Sequence, residues 1–348
     1  MVEVRERVIF SAYKDAHAYA RDHFGAANAV VDGVTPPDGD QIPPLTNELS
    51  SYFFTLQSDV ERDGFMDYHE YAKRLWVNVF GGNSDEEKSD EEFSFFENRM
   101  ISGLHSIDMR PFVYPHVREN LETLIDVRAD EVKGVVLWST GDVAATGYQA
   151  GKIDKSGIIP SFIKGLVRKY PERAKELANK TAYMVDDDKF DRLSEFVGDK
   201  AEEEKTKIVI IEDSVKNFDK AKKTLREKFG NESSQFEVIP IWAAYSREGQ
   251  NAQAQAEGSS GTWEDYIRQR EELHAIDSFA QLLDPGFNDI FKDALVFVDF
   301  DGVIGDNIGM RIEQAKVIYN ALVEGGLKKG LSLEEIERSI TAFLAPEK

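Results

Sequence analysis

Apolar positions along the chain fall into two patterns, and the change between them divides the sequence. Residues 3–24 carry helical spacing with no Pro or Gly before Gly25, and 46–58 and 68–79 predict two further helices. Residues 25–48 are dense in breakers (Val31-Asp32-Gly33-Val34-Thr35-Pro36-Pro37-Asp38-Gly39-Asp40) and read as loop. The acidic run 81–92 reads as a solvated loop, and 112–126 as an amphipathic helix. Beyond it the pattern changes to short apolar runs at 134–138, 207–211, 236–242 and 294–298, each rich in Val, Ile, Leu, Phe or Trp. Helical stretches at about 161–178, 215–229, 263–282 and 309–323 lie among them. Strands that are apolar throughout and alternate with helices predict an α/β fold with a Rossmann-like parallel sheet covered on both faces. No internal repeat is visible.

Composition narrows the function classes. The 348 residues suggest about two domains. A net charge of −22 repels phosphate backbones, so nucleic acid is not an expected partner. The chain has no cysteine, which removes disulfides and thiol catalysis and fits a reducing, cytoplasmic setting. The opening Met1-Val2-Glu3-Val4-Arg5-Glu6-Arg7 is too charged for a signal peptide, and no apolar run reaches the roughly 18 residues of a membrane span. No membrane association is expected, and no protein partner can be named.

Three of the four apolar runs end in polar groups: Ser139-Thr140-Gly141-Asp142, Glu212-Asp213-Ser214 and Asp299-Phe300-Asp301-Gly302-Val303. Parallel sheets bind ligands beyond the carboxyl ends of their strands, so these three ends can converge. Glu212, Asp213, Asp299 and Asp301 repel one another unless a hard cation sits among them, and an all-oxygen ligand set suits Mg²⁺. Asp299 and Asp301 are two apart and face one side of an extended chain. One could be an ionised nucleophile, since an ordinary aspartate titrates near about 3.9, and the other could handle protons. A hydroxyl at Ser139 and a lysine could hold phosphoryl oxygens.

On these residues the chain resembles the haloacid-dehalogenase-like (HAD) superfamily. Asp299-Phe300-Asp301-Gly302-Val303 looks like its first motif, Val135 to Gly141 like its second, and Ile210-Ile211-Glu212-Asp213-Ser214-Val215-Lys216-Asn217 like its fourth. The third motif is a lone lysine. Lys189, 24 residues before Asp213, is taken for it ahead of Lys152, Lys155 and Lys164. The resemblance implies a Mg²⁺-dependent phosphohydrolase acting on a small phosphorylated metabolite. Asp299 would form an aspartyl-phosphate, and Asp301 would protonate the leaving oxygen and then deprotonate water. Ser139, Thr140 and Lys189 would bind the phosphoryl group. Mg²⁺ would be held by Asp299, the Asp301 carbonyl, Asp213 and nearby Glu212. The presence of Asp301 favours phosphoryl chemistry over dehalogenation, and a phosphomutase would use the same motifs.

The family's first motif normally opens the chain, whereas here it comes last, as in a circular permutation. The relinking segment would be Asp284-Pro285-Gly286-Phe287-Asn288-Asp289, preceded by a closing helix at 271–284. That reading places the strand 294–299 between 134–138 and 207–211. It divides the chain into a helical cap at 1–110, a HAD core at 111–306 with its first motif at 294–306, and completing helices at 307–348.

Within the cap, Asp59-Val60-Glu61-Arg62-Asp63-Gly64-Phe65-Met66-Asp67-Tyr68-His69-Glu70 resembles an EF-hand calcium loop. Asp59, Glu61, Asp63, Asp67 and Glu70 stand at ligand positions, Phe65 would offer its carbonyl, and Gly64 makes the sharp turn. Glu61 departs from the usual Asp or Asn. The implied cofactors are Mg²⁺ and Ca²⁺. A rival reading is a calcium-binding protein whose HAD core is inactive. His17, His23, His69, His105, His116 and His274 lack metal-ligand spacing, and Trp138 reads as core.

Overall fold

A computed structural model of the chain describes residues 45, 53, 56, 67–81, 91–128, 131–140, 148–158, 181–186, 189–190, 193, 197, 206–230, 235–246 and 273–344. The expectations for 3–24, 25–44, 82–90, 161–178 and 263–272 lie outside these residues, as do Asp59, Glu61, Asp63, Phe65 and Lys164. The structure divides into two compact units. The first takes the described parts of 108–140 and 152–308, the second those of 15–107, 141–151 and 309–348.

The first unit is α/β. Its sheet has six strands: β1 (Gly134–Thr140), β2 (Thr181–Asp186), β3 (Thr206–Glu212), β4 (Phe236–Ala243), β5 (His274–Ile276) and β6 (Ala294–Asp299). The order across the sheet is β2-β1-β6-β3-β4-β5, and every pairing is parallel. The last of the described strands, β6, therefore lies between β1 and β3, the place the sequence reading assigns it. β6 is buried at all six positions, as a central strand covered on both faces must be.

Side-chain alternation sorts the core. Val136 and Trp138 of β1, Ile208 and Ile210 of β3, and Leu295 and Phe297 of β6 share one face. They pack with Phe190, Leu193 and Val197, and with Val215, Phe218, Ala221 and Leu225 of a helix at Val215–Phe229. That helix repeats apolar residues at helical spacing, so one stripe meets the sheet. A helix at Pro115–Arg128 packs against a 3₁₀ turn at Phe279–Leu283.

This turn corrects the helix expected over 263–282 and the closing helix at 271–284. Among the described residues, 274–276 form β5 and 279–283 a 3₁₀ turn. Ser278 Oγ accepts a hydrogen bond from the Ala280 N–H at 3.3 Å and opens the turn. Pro285 disfavours helical backbone at Asp284 and closes it. The apolar spacing of Phe279, Leu282 and Leu283 is thus used over a single turn.

In the second unit, helices at Tyr68–Phe80 and Glu91–Ser106 pack through aromatic rings: Trp76 lies against Phe80, Phe93 and Phe96. The Asn307–Lys328 helix reaches this cluster through Gly325, where an added Cβ would stand 2.8 Å from Trp76 and 3.0 Å from Phe96. Glycine is what permits that approach. Arg99 and Glu324 form a part-buried ion pair, with Nε to Oε2 at 2.5 Å. A helix at Leu333–Leu344 follows. No helix among the described residues is long and apolar enough to cross a membrane.

Candidate functional site

The ends of β1, β3 and β6 bring the acidic residues together. Trp138 pairs in register with Asp299, and Ile211 with Val298, so Glu212 and Asp299 are the next residues along adjacent strands. By alternation both side chains fall on the face that carries Trp138, Ile210 and Phe297. Phe190 packs edge-on against Trp138, and the residue before it, Lys189, is thereby carried to the strand ends. Its Nζ lies 4.9 Å from the centre of the Trp138 ring.

Lys189 Nζ donates to Asp299 Oδ1 at 2.7 Å and to Glu212 Oε2 at 2.9 Å. All three side chains are buried. Burial alone would drive the lysine towards neutrality, but Asp299 and Glu212 outweigh it and hold its pKa above the ordinary value. Asp213 follows Glu212 in the turn into the helix. Ser246 Oγ donates to its Oδ2 at 3.3 Å, and Trp242 Nε1 donates to its backbone carbonyl at 2.9 Å.

The turn after β6 is tight. Ile304 and Gly305 both donate backbone N–H bonds to the Phe300 carbonyl, at 3.0 and 2.9 Å. Gly302 has a φ of +76°, and a Cβ there would stand 2.0 Å from Asp213 Oδ2. Only glycine fits both the left-handed backbone and the carboxylate beside it. Asp301, in the same turn, accepts Lys152 Nζ at both carboxylate oxygens, at 2.6 and 2.8 Å.

One oxygen each from Glu212, Asp213 and Asp299 lie within 4.8 Å of one another. Three carboxylates against the single Lys189 ammonium leave a formal charge of −2. The titration directions register this excess. Burial and then the Asp299 charge push Asp213 up to about 6. Burial and then Glu212 push Asp299 well above its ordinary range, and Glu212 also rises, mainly through burial. Glu212 Oε1 is buried and accepts no hydrogen bond among the described residues, although nearby Asn217 favours its charged form. A buried, unsatisfied carboxylate oxygen is expensive. An oxygen-only set with two surplus charges and an unfilled acceptor fits a hard divalent cation such as Mg²⁺.

The other expected residues are placed as follows. Ser139 is buried and Thr140 half-buried at the end of β1, one and two residues past the Trp138–Asp299 pair. Trp138 is fully buried among Phe190 and Phe297 and serves the core. Asp67 and Glu70 are the described ligand positions of the calcium loop. Asp67 caps the helix at Tyr68–Phe80, accepting from the Glu70 N–H at 3.0 Å, and Glu70 accepts from Arg74 at 2.8 Å. Among the described histidines, His69 pairs with Glu97, His105 meets the Tyr148 ring, and His116 accepts the Phe279 N–H. Sequence reasoning did not single out Trp242, Ser246 or the Gly302 approach. They act through tertiary contact, and no spacing announces them. Lys152, ranked there behind Lys189, stands on Asp301. Compared with protein-family models, curated proteins and solved structures, the chain matches none.

Proposed function

We propose that the chain is a Mg²⁺-dependent phosphohydrolase of HAD type, working through an aspartyl-phosphate on Asp299. The observation that carries this reading is the union of Asp299, Lys189, Glu212 and Asp213 at the carboxyl ends of two adjacent central strands. Lys189 orients Asp299 through Oδ1. Lys189 leaves Oδ2, which makes no hydrogen bond among the described residues, as the oxygen that would attack phosphorus. As the new P–O bond forms, the ester P–O bond breaks, and Asp301 gives its proton to the departing oxygen. Asp301 then takes a proton from water, whose oxygen attacks phosphorus and returns Asp299 as a carboxylate. Ser139 and Thr140, at the adjacent strand end, would hold phosphoryl oxygens. Asp299, Asp213, Glu212 and the Asp301 carbonyl would hold Mg²⁺, which supplies positive charge that keeps Asp299 ionised and offsets charge on the phosphoryl group.

The placement of β6 between β1 and β3 supports a permuted HAD core, since the first motif then stands beside the second and fourth. The grouping of 15–107 with 309–348 supports a cap assembled across the chain's two ends. Calcium modulation belongs to the same proposal, supported by the loop sequence.

Hydrolysis of p-nitrophenyl phosphate with Mg²⁺ tests the reading. The wild type should turn over, and Asp299→Asn should lose at least about 10³-fold in kcat, as removal of a nucleophile does. Equal rates would remove Asp299 from the chemistry.

A further inference from the structure

The β3–β6 ladder ends at Ile211 and Val298, so strand pairing does not fix how far Asp213, after β3, stands from the turn after β6 that carries Asp301. β4 reaches further. It stays in register with β3 as far as Glu212 opposite Trp242, and with β5 as far as Ala243 opposite Ile276. A 3₁₀ turn at Ala244–Ser246 then brings Tyr245 and Ser246 to the strand ends. Ser246 Oγ donates to Asp213 Oδ2 at 3.3 Å, while Tyr245 Oη donates to the Val303 carbonyl at 2.8 Å. Two successive residues thus hold two parts of the site that the sheet leaves unlinked. Trp242 Nε1, donating to the Asp213 carbonyl, holds the first part at a second point. The Tyr245 ring is itself fixed, edge-on to Tyr114 at 5.3 Å and to His116 at 4.5 Å. Tyr114 N–H donates to the Ile304 carbonyl at 3.0 Å, so two packed tyrosines bond two neighbouring carbonyls of the turn. Gly302 lies directly against the Asp213 carboxylate, so a shift of the turn is felt at Asp213 at once.

Resting on the phosphohydrolase reading, we infer that Tyr245 and Ser246 are positioning residues that set the separation between the cation-holding and proton-handling parts of the site. Ser246 keeps the Asp213 carboxylate turned towards Glu212 and Asp299, where their oxygens gather. A hydroxyl that orients a ligand adds to metal affinity without touching the metal. Tyr245 holds the turn, and with it the place from which Asp301 reaches the leaving oxygen. A misplaced acid costs rate even when its chemistry is intact. The two residues therefore act on different steps: Ser246 on cation binding, Tyr245 on proton donation.

Two phosphate esters that differ in their need for a proton separate positioning from support. p-Nitrophenolate leaves readily without one, whereas phenolate gains more from an acid. Tyr245→Phe keeps the ring and removes only the hydroxyl. It should lower kcat/KM for phenyl phosphate about 10- to 100-fold but for p-nitrophenyl phosphate about threefold or less, with the Mg²⁺ Kd within about twofold of wild type. Ser246→Ala should weaken Mg²⁺ about 10-fold in calorimetric titration of the full chain, which needs no turnover, and Ser246→Thr should recover most of it. Each variant that loses one hydrogen bond should melt no more than about 4 °C below wild type, so unfolding is told apart from misplacement. A residue that only props the fold would slow both esters alike. An equal effect on the two esters, or none, in Tyr245→Phe overturns the role of Tyr245, and unchanged Mg²⁺ affinity in Ser246→Ala overturns that of Ser246. Either result leaves the phosphohydrolase reading standing. A wild type that neither binds Mg²⁺ nor hydrolyses either ester removes both.

Discussion

Gly302 shows how much can rest on a missing methyl group. Its backbone sits at φ +76°, and the Asp213 carboxylate occupies the space a Cβ would need. Gly302→Ala should therefore destabilise the protein by about 1–3 kcal/mol and displace Asp213. Thermal unfolding and Mg²⁺ titration measure the two effects, and an alanine variant that binds Mg²⁺ normally would refute the coupling. Lys189 is the reciprocal case. Lys189→Met removes the counter-charge from two buried carboxylates, and urea unfolding in EDTA should show a loss of about 3–5 kcal/mol. A loss below about 1 kcal/mol would mean that Asp299 and Glu212 do not depend on it.

Arg128 does at the level of elements what these residues do within the site. It closes the Pro115–Arg128 helix, and its buried guanidinium spans four acceptors. Nη1 donates to Glu131 at 2.8 Å and Asn288 at 2.6 Å, and Nη2 to the Leu282 and Asp284 carbonyls at 3.0 and 3.1 Å. The segment leading into β6 is thereby fastened to the helix leading into β1. Arg128→Ala should cost about 3 kcal/mol in chemical denaturation, and Arg128→Lys should restore only part, since lysine lacks the planar fork. The sequence foretold some of these elements and not others, for physical reasons. β1, β3, β4 and β6 are legible because each carries a run of apolar residues, buried throughout in β6 and broken only by Glu237 in β4. β2, Thr-Ala-Tyr-Met-Val-Asp, stands at the sheet edge without such a run, and β5 is three residues that exist by pairing with Ile241–Ala243 of β4. In the site, Asp299, Glu212 and Asp213 announce themselves at strand ends. The identity of each lysine's partner depends on how segments far apart in sequence pack, and no periodicity encodes that.

For the whole molecule, the carboxylate cluster ties stability to pH and, on the proposed function, to divalent ions. Asp213 titrates at about 6 in the native state and near 3.8 when unfolded, so between these values the native protein binds more protons. Stability of the metal-free protein must then fall as pH rises from about 4 to 6, and raised Asp299 and Glu212 act in the same direction. His116 acts oppositely. Burial lowers its pKa from 6.5, so its contribution is present above that pH and lost as pH falls. The difference in melting temperature between wild type and Asp213→Asn across pH 4–7 in EDTA isolates the carboxylate, and a pH-independent difference would contradict the assignment. Mg²⁺ at about 100 times its Kd should add about 2.7 kcal/mol to the wild type and little to Asp213→Asn.

The middle strand of the sheet, β6, is also the last to be made. Until residue 299 leaves the ribosome, β1 and β3 each present a bare, apolar flank where a neighbour belongs, and such flanks pair readily with other chains. β1 must then close a loop of about 160 residues to meet its partner, which makes assembly of the sheet slow. Between the completion of β4 at Ala243 and of β6 at Asp299 a nascent chain of this protein therefore carries two half-sheets awaiting a keystone, the period in which shielding by a chaperone matters most.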